Sequence, residues 1–190
     1  MRFPKPYADV VQRFRVPGGF LLLAAFVWLA QPTSKTILAG LPLCGAGLFI
    51  RAWAAGHLRK NEQLTRSGPY AYVRNPLYVG SLLLAGGMVV AANSTWMALV
   101  FLATFVLVYL PVIQLEEQHL RSLFPEYAEY ARQVPSLIPR LGTRNSPSHR
   151  ASFCWRLYRR NKEWRALLGF LFGLAWLLWK LTFTLSSQAA

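Results

Sequence analysis

The sequence predicts an all-α integral membrane protein with about five transmembrane helices, and three observations lead to this fold class. Hydrophobic residues make up 54% of the chain and charged residues only 15%, whereas a soluble domain carries about a quarter charged residues. The apolar residues are clustered in blocks of about 15 to 20, close to the length that crosses a bilayer. Basic residues occupy alternate gaps between those blocks, which is the positive-inside pattern of membrane proteins.

Five apolar blocks define the predicted spans, in chain order 18–30, 37–55, 77–92, 96–113 and 166–185. The first ends before Pro32, and the Gly and Ala residues of the second permit close contact between helices. Asn93 and Ser94 predict a tight turn, so the third and fourth spans form an antiparallel hairpin. Lys180, near the far end of the fifth span, can extend its ammonium group toward the interface.

The charge distribution predicts the orientation and excludes some partners. Net charge is +14, from 21 Lys and Arg against 7 Asp and Glu. Because the cations follow the topology, we expect a multi-pass protein of the inner membrane with its N-terminus in the cytoplasm and its C-terminus outside. Anionic lipid headgroups of the bilayer are then the expected partners of the basic segments, and nucleic acid is not. Two cysteines, Cys44 and Cys154, make no disulfide framework.

The chain divides into three predicted segments. Residues 1–55 hold the first two transmembrane helices. Residues 56–140 form a core of the third and fourth helices and a cytoplasmic segment, and residues 141–190 hold a linker, a basic interfacial stretch and the fifth helix. Within the core, residues 116–132 predict an amphipathic surface helix that Pro125 breaks into two pieces. Residues 134–139 are expected to be extended, because residues before proline avoid the α region.

The densest polar sequence lies at the entry to the third span, over residues 68–80. It combines two prolines, three tyrosines and Arg74. One interpretation is a rigid interfacial turn, in which tyrosines form the aromatic belt and Arg74 follows the positive-inside rule. The other is a backbone cradle for a polar ligand.

Glu116 and Glu117 follow the fourth span directly, although acidic residues at a membrane boundary are costly. A cationic partner is therefore expected, either the local Arg121 or a positively charged ligand. His119 is a candidate acid or base, although an exposed surface histidine is the commoner case. His57 and the other possible ligands show no spacing typical of a metal site, so no metal is predicted.

Taken together, these pieces resemble the isoprenylcysteine carboxyl methyltransferase family and its relatives, the membrane phospholipid methyltransferases. The matching residues are Ser67-Gly68-Pro69-Tyr70, Arg74-Asn75-Pro76-Leu77-Tyr78-Val79-Gly80, Glu116-Glu117, Leu123-Phe124-Pro125-Glu126-Tyr127-Ala128-Glu129-Tyr130, Val134-Pro135 and Ile138-Pro139. The resemblance covers 56–140, so this segment is the expected methyltransferase-like core.

The resemblance implies an S-adenosylmethionine-dependent methyltransferase that acts on a lipophilic or small acceptor. Its cofactor pocket would lie at the cytoplasmic face, formed by the hairpin of the third and fourth helices and the amphipathic segment that follows. The implied cofactor-binding residues are Gln63, Leu64, Thr65, Tyr70, Asn75, Pro76, Leu77, Tyr78 and Glu116. Glu117 and His119 are the candidate catalytic bases for an acceptor that must lose a proton.

Two departures from the family pattern narrow the prediction. Asn75 stands where the family usually has histidine, which excludes proton transfer by that side chain. Val112 stands where the isoprenylcysteine enzymes have arginine, which argues against a prenylated cysteine carboxylate as acceptor. Two other interpretations stay open: a membrane reductase that uses a nicotinamide cofactor, and a membrane partner protein with no catalytic activity.

Overall fold

The computed structural model describes residues 3–139 and 152–189, and every regular element in these ranges is helical. The helices are α1 (Lys5–Leu29), α2 (Ser34–Ala55), α3 (Pro76–Ala92), α4 (Thr95–Thr104), α5 (Leu110–Leu123), α6 (Tyr127–Gln133), α7 (Trp155–Arg160) and α8 (Trp164–Ala189). A 3-10 turn at Gly68–Ala71 precedes α3, and a π-helical turn at Phe105–Tyr109 joins α4 to α5. The predicted all-α membrane class is confirmed, while the linker predicted from residue 141 begins outside the described residues.

Three helices among the described residues are long and apolar enough to cross a membrane: Ser34–Ala55, Thr95–Leu123 and Trp164–Ser186. The first helix passes the same test only as a bent pair, Pro6–Arg13 and Pro17–Leu29, whose axes differ by 60°. Helix α3 has 17 residues, which rise about 26 Å at 1.5 Å per residue, slightly less than the ~30 Å hydrocarbon core. The count of five spans therefore stays a prediction.

The outer surfaces of these helices are apolar, as expected for contact with lipid. Large hydrophobic side chains stand exposed on α1, α2 and α8, among them Trp28 at 84% and Phe172 at 77% exposure. Such a surface would be an aggregation liability in water. In a bilayer the same side chains meet hydrocarbon, so the exposure agrees with membrane insertion.

The chain forms two compact units. The first contains Met1–Cys44, Ala85–Glu117 and Gly169–Ala190, and the second contains Gly45–Leu84 and Gln118–Leu168. Side chains from five helices build the core of the first unit: Phe26, Ala30, Ile37, Ala91, Ala92, Met97 and Leu177. The predicted turn between α3 and α4 is confirmed there, since Asn93 adopts a φ of 51° and Ser94 caps α4 by accepting a hydrogen bond from the Met97 N–H.

Lys180 makes contacts that the sequence did not predict. Its ammonium donates to the carbonyl oxygens of Val27 and Trp28, each at 3.1 Å. These carbonyls belong to the last turn of α1, which has no intrahelical partners for them. Lys180 therefore caps the C-terminus of α1, where a cation also interacts favourably with the helix dipole.

Small residues let α2 and α3 approach closely, as the sequence predicts. In the first unit, a Cβ atom added to Gly87 would lie 2.7 Å from the Gly40 carbonyl oxygen. In the second, a Cβ atom added to Gly47 would lie 2.6 Å from the Gly80 carbonyl oxygen. Side chains at these positions would force the backbones apart, so the glycines set the spacing of the helices.

One boundary predicted from the sequence is wrong. The helical span that begins at Thr95 continues to Leu123, so residues 116–123 extend that helix and do not begin a separate surface helix. Nothing in this stretch breaks a helix before Pro125, and the change from apolar to polar residues alters only its surroundings. The predicted break at Pro125 is confirmed, because α5 ends at Leu123 and α6 begins at Tyr127.

Candidate functional site

The entry to α3 is joined to the segment that follows α6, within the second unit. The Arg74 N–H donates to the Pro135 carbonyl at 2.8 Å, and the Asn75 N–H donates to the Ser136 carbonyl at 3.2 Å. The Asn75 side-chain amide also donates to the Ser136 carbonyl at 3.2 Å and to its hydroxyl at 3.1 Å. Asn75 thus ties together two segments that the sequence separates by 61 residues.

A buried aromatic cluster supports this junction. Tyr127, Tyr130 and Val134 are buried together, with Leu64 and Leu120 packed against them. The Tyr130 hydroxyl donates to the Tyr70 carbonyl at 2.7 Å in a buried environment. A buried carbonyl without a donor is costly, so this bond fixes the 3-10 turn against α6.

Gly68 begins that turn with a φ of 60°, which side chains tolerate poorly. A Cβ atom there would lie 2.8 Å from ring atoms of His57. His57 is buried, and its Nδ1 is 2.8 Å from the Trp53 carbonyl oxygen, an acceptor that requires a proton on this nitrogen. The imidazole therefore serves as the surface on which the Gly68–Ala71 turn rests.

The residues predicted to bind a cofactor differ in exposure, although those from 63 to 78 all lie in the second unit. Gln63 is exposed, Leu64 and Leu77 are half-buried, and Thr65, Tyr70, Asn75, Pro76 and Tyr78 are buried. The Thr65 hydroxyl accepts a hydrogen bond from the Arg59 N–H at 3.5 Å. The structure therefore gathers the predicted loop and turn into one unit, with Gln63 as its most accessible amide.

The predicted carboxylates lie on α5. Glu116 is exposed and Glu117 is half-buried, and both belong to the first unit. His119 is exposed and belongs to the second unit. Arg121, the predicted local partner of the glutamates, places its guanidinium 5.7 Å from the centre of the Tyr127 ring, which is a cation–π contact.

A partly buried ion pair next to α3 was not predicted from the sequence. Arg51 of α2 binds the Glu163 carboxylate through its Nε atom. The same guanidinium donates through Nη1 to the Ser81 hydroxyl and to the Leu77 carbonyl, the latter at 3.5 Å. Glu163 is 7% exposed and is the one buried carboxylate among the described residues.

Glu163 belongs to a segment, residues 152–163, that is bound to the end of α2. The Cys154 N–H donates to the Gly56 carbonyl at 3.0 Å. The Asn161 side-chain amide donates to the carbonyls of Ala55 and Leu58, at 2.9 and 3.0 Å. Carbonyls at a helix C-terminus need external donors, so this segment caps α2 in addition to leading into α8. From its sequence, this segment was expected to be only a basic interfacial stretch.

Metal binding has no visible support in the part of the chain that the structure describes. There, no three side chains of the His, Cys, Asp and Glu types come together in a group that could hold an ion.

Comparison with known proteins adds the family relationship. Residues 36–127 match the phospholipid methyltransferase family. The chain is 39% identical over 116 residues to Cobalt-zinc-cadmium resistance protein CzcN of Cupriavidus metallidurans, covering 60% of this chain and 52% of that protein. The predicted resemblance to these membrane methyltransferases is thereby confirmed.

Two relatives are named for methyl transfer. The chain is 29% identical over 143 residues to Protein-S-isoprenylcysteine O-methyltransferase of Schizosaccharomyces pombe, covering 71% of this chain and 59% of that enzyme. It is 42% identical over 77 residues to Methanethiol S-methyltransferase of Crocosphaera subtropica, covering 40% of this chain and 29% of that enzyme. The chain thus spans little more than half the length of the first of these relatives, and of CzcN. No solved structure matches the chain.

Proposed function

We propose that this membrane protein transfers a methyl group from S-adenosylmethionine to a lipophilic or small acceptor, because residues 36–127 match the phospholipid methyltransferase family. The reaction would take place at the cytoplasmic face of the inner membrane, where the N-terminus would also lie. The basic gaps of the sequence support this orientation.

One observation carries the proposal: two motifs far apart in the sequence form one junction. The turn before α3 and the segment around α6 are joined by the Tyr130–Tyr70 bond and by the bonds of Arg74 and Asn75 to residues 135 and 136. Such a junction holds backbone groups in fixed positions, which pre-organises a site for a ligand.

The residues present have the chemistry that the cofactor requires. S-adenosylmethionine offers hydroxyl and amino groups, for which the exposed Glu116 carboxylate and Gln63 amide are suitable partners. Its sulfonium would be favoured next to the face of a tyrosine ring, as a cation–π contact. When bound, the cofactor supplies an already activated methyl group. The protein then has to orient the acceptor and exclude water.

Within this scheme Asn75 has a positioning role, since its amide already donates to Ser136 and carries no titratable proton. Leu64, Thr65, Tyr70, Pro76, Leu77 and Tyr78 would line or support the cofactor. Glu117 and His119 would accept a proton from an amine or hydroxyl acceptor. A thiolate acceptor would need neither.

The acceptor is proposed as a thiol or a lipid. One relative is named for methanethiol and another for isoprenylcysteine. Val112 is 2% exposed and uncharged, so this position offers no cation to a prenylcysteine carboxylate. A small or membrane-dissolved nucleophile needs no such cation. Relatives named for resistance to cobalt, zinc, cadmium or nickel make metal tolerance a useful phenotype for strains that lack the protein.

Binding of S-adenosylmethionine to the detergent-purified protein, measured by calorimetry, tests the proposal. We expect Glu116→Ala to weaken binding at least tenfold, a loss of about 1.4 kcal/mol. Glu129→Ala is the matched control, because Glu129 is an exposed carboxylate that accepts hydrogen bonds from its helix neighbours Arg132 and Gln133. Absence of binding by folded wild-type protein would contradict the proposal. Transfer of a labelled methyl group to methanethiol, a prenylcysteine analogue or phosphatidylethanolamine then identifies the acceptor class.

A further inference from the structure

The buried ion pair between Arg51 and Glu163 has a geometry that stability alone does not explain. We propose that Glu163, acting through Arg51, positions the first turn of α3 and with it the Asn75–Tyr78 turn, so that this turn can receive the cofactor. The inference rests on the proposed function. It assigns a positioning role to a residue that lies outside the segment matched by the family, 36–127.

Burial of the pair argues for a specific role. The Glu163 side chain is 8% exposed and the Arg51 side chain 23% exposed. Removing two charges from water is expensive, and well-packed apolar residues at such positions are often equally or more stable. The pair is therefore better explained by the direction of its hydrogen bonds than by the energy of its attraction.

Those hydrogen bonds end on α3. Arg51 Nη1 donates to the Ser81 hydroxyl and approaches the Leu77 carbonyl at 3.5 Å. The Ser81 hydroxyl donates to the same carbonyl at 2.8 Å. Leu77 lies in the first turn of α3, between two predicted cofactor contacts, Pro76 and Tyr78. The guanidinium therefore restrains the backbone of that turn from the side of α2.

Space for this arrangement depends on a glycine. A Cβ atom added to Gly80 would lie 2.6 Å from the Cγ atom of Arg51, so the arginine stem crosses α3 where no side chain stands. The planar guanidinium presents Nε to the carboxylate and Nη1 to α3, a division that a lysine could not reproduce. Glu163 thus fixes the orientation of the Arg51 guanidinium.

A second ion pair in the same segment serves as an internal control. Arg160 binds Glu62, also joining the C-terminal segment to the region after α2, but the side chains are 60% and 46% exposed. Exposed ion pairs contribute little to stability. Among the described residues, no hydrogen bond joins this pair to α3. Breaking it should leave the α3 turn unchanged.

The experiment combines two measurements on the full-length protein in detergent. Amide hydrogen exchange in peptides that cover residues 74–82 reports the order of the turn, and calorimetry reports the Kd for S-adenosylmethionine. The variants are Glu163→Gln, the apolar double variant Arg51→Met with Glu163→Leu, and the control Glu62→Gln. Thermal unfolding of each variant shows whether it is folded.

We expect Glu163→Gln to speed exchange at least fivefold and to weaken binding at least tenfold. The apolar double variant should unfold within about 3 °C of wild type, yet show the same faster exchange and weaker binding. Unchanged thermal stability together with faster exchange and weaker binding would distinguish a positioning role from a purely structural one. Glu62→Gln should match wild type in all three measurements.

Three results would overturn the inference. Glu163→Gln could show the same hydrogen exchange as wild type, or the apolar double variant could bind the cofactor as tightly as wild type. The third is that Glu62→Gln changes exchange and binding as much as Glu163→Gln does. Failure of wild-type protein to bind S-adenosylmethionine is a separate outcome. It would overturn the proposed function and the cofactor part of the inference, while faster exchange in Glu163→Gln would still support the restraint on α3.

Discussion

Two segments hold the chain between α2 and α3, and they do so by different means. The segment at residues 134–136 pairs its carbonyls with the Arg74 and Asn75 N–H groups, and the Asn75 side-chain amide adds to this main-chain pairing. The segment at residues 152–163 uses side chains, above all Glu163 and Asn161, to reach Arg51 and the end of α2. Main-chain pairing tolerates many side chains, whereas contacts made by single side chains depend on residue identity. The second attachment should therefore be the easier to remove by substitution.

The largest loss of stability is expected from Gly68→Ala. Gly68 lies in the turn that the Tyr130–Tyr70 bond joins to α6, just before the first attachment. A φ of 60° costs a residue with a Cβ atom about 1–2 kcal/mol. Pressing that atom against the His57 ring, at 2.8 Å, adds roughly 1–3 kcal/mol of overpacking. Chemical denaturation in detergent should show a total loss of about 2–5 kcal/mol.

Gly45→Ala is the control, because a Cβ atom added to Gly45 meets nothing within 4 Å. It should be neutral or stabilising by up to about 1 kcal/mol, since alanine favours a helix. Equal stabilities of the two variants would mean that the turn at Gly68 does not rest on His57.

Smaller losses of stability are expected from two substitutions that compare the two attachments directly. Asn161→Ala removes the donors to the Ala55 and Leu58 carbonyls and should cost roughly 1–3 kcal/mol. Tyr130→Phe removes one donor, to the Tyr70 carbonyl, and should cost about 1 kcal/mol because the main-chain pairing remains. A greater loss for Tyr130→Phe, in the same denaturation measurement, would reverse the contrast between the segments.

The local elements of the first attachment could be predicted from the sequence, whereas its pairing and the whole of the second attachment could not. Pro76, Pro125 and Pro135 restrict the backbone locally, so the entry to α3, the break before α6 and the extended segment after it are visible as patterns. Arg51 and Glu163 are 112 residues apart, and no local period relates them. A clue was nevertheless present: Glu163 is the single acid in a stretch of basic residues after residue 155.

The ends of helices near a membrane surface were also hard to predict from the sequence. The polarity change near Glu116 marks where the surroundings of a helix change, and the helix itself continues to Leu123. Only residues that alter backbone geometry, such as Pro125 and Asn93, placed a boundary correctly. The location of Glu116 relative to a cofactor accordingly remains a proposal for the calorimetric test.

The smallest expected effect concerns Cys154, which begins the second attachment. The backbone N–H groups of Leu157 and Arg156 at the start of α7 lower the pKa of its thiol below the ordinary value, with a further contribution from the positive charges of Arg156 and Arg59. Because the folded pKa is lowered, the thiolate favours the folded state at alkaline pH, and this contribution is lost as the pH falls through the folded pKa.

In a Cys44→Ala background, the rate of alkylation by iodoacetamide should therefore reach half its maximum at a lower pH than for a free cysteine peptide. Repeating the profile in Asn161→Ala sharpens the comparison between the attachments. The N–H groups that lower the pKa of the thiol belong to α7 itself, so an unchanged midpoint would mean that this helix persists after it separates from α2. A midpoint that rises to the value of the free peptide would mean that α7 is ordered only while Asn161 holds it against α2.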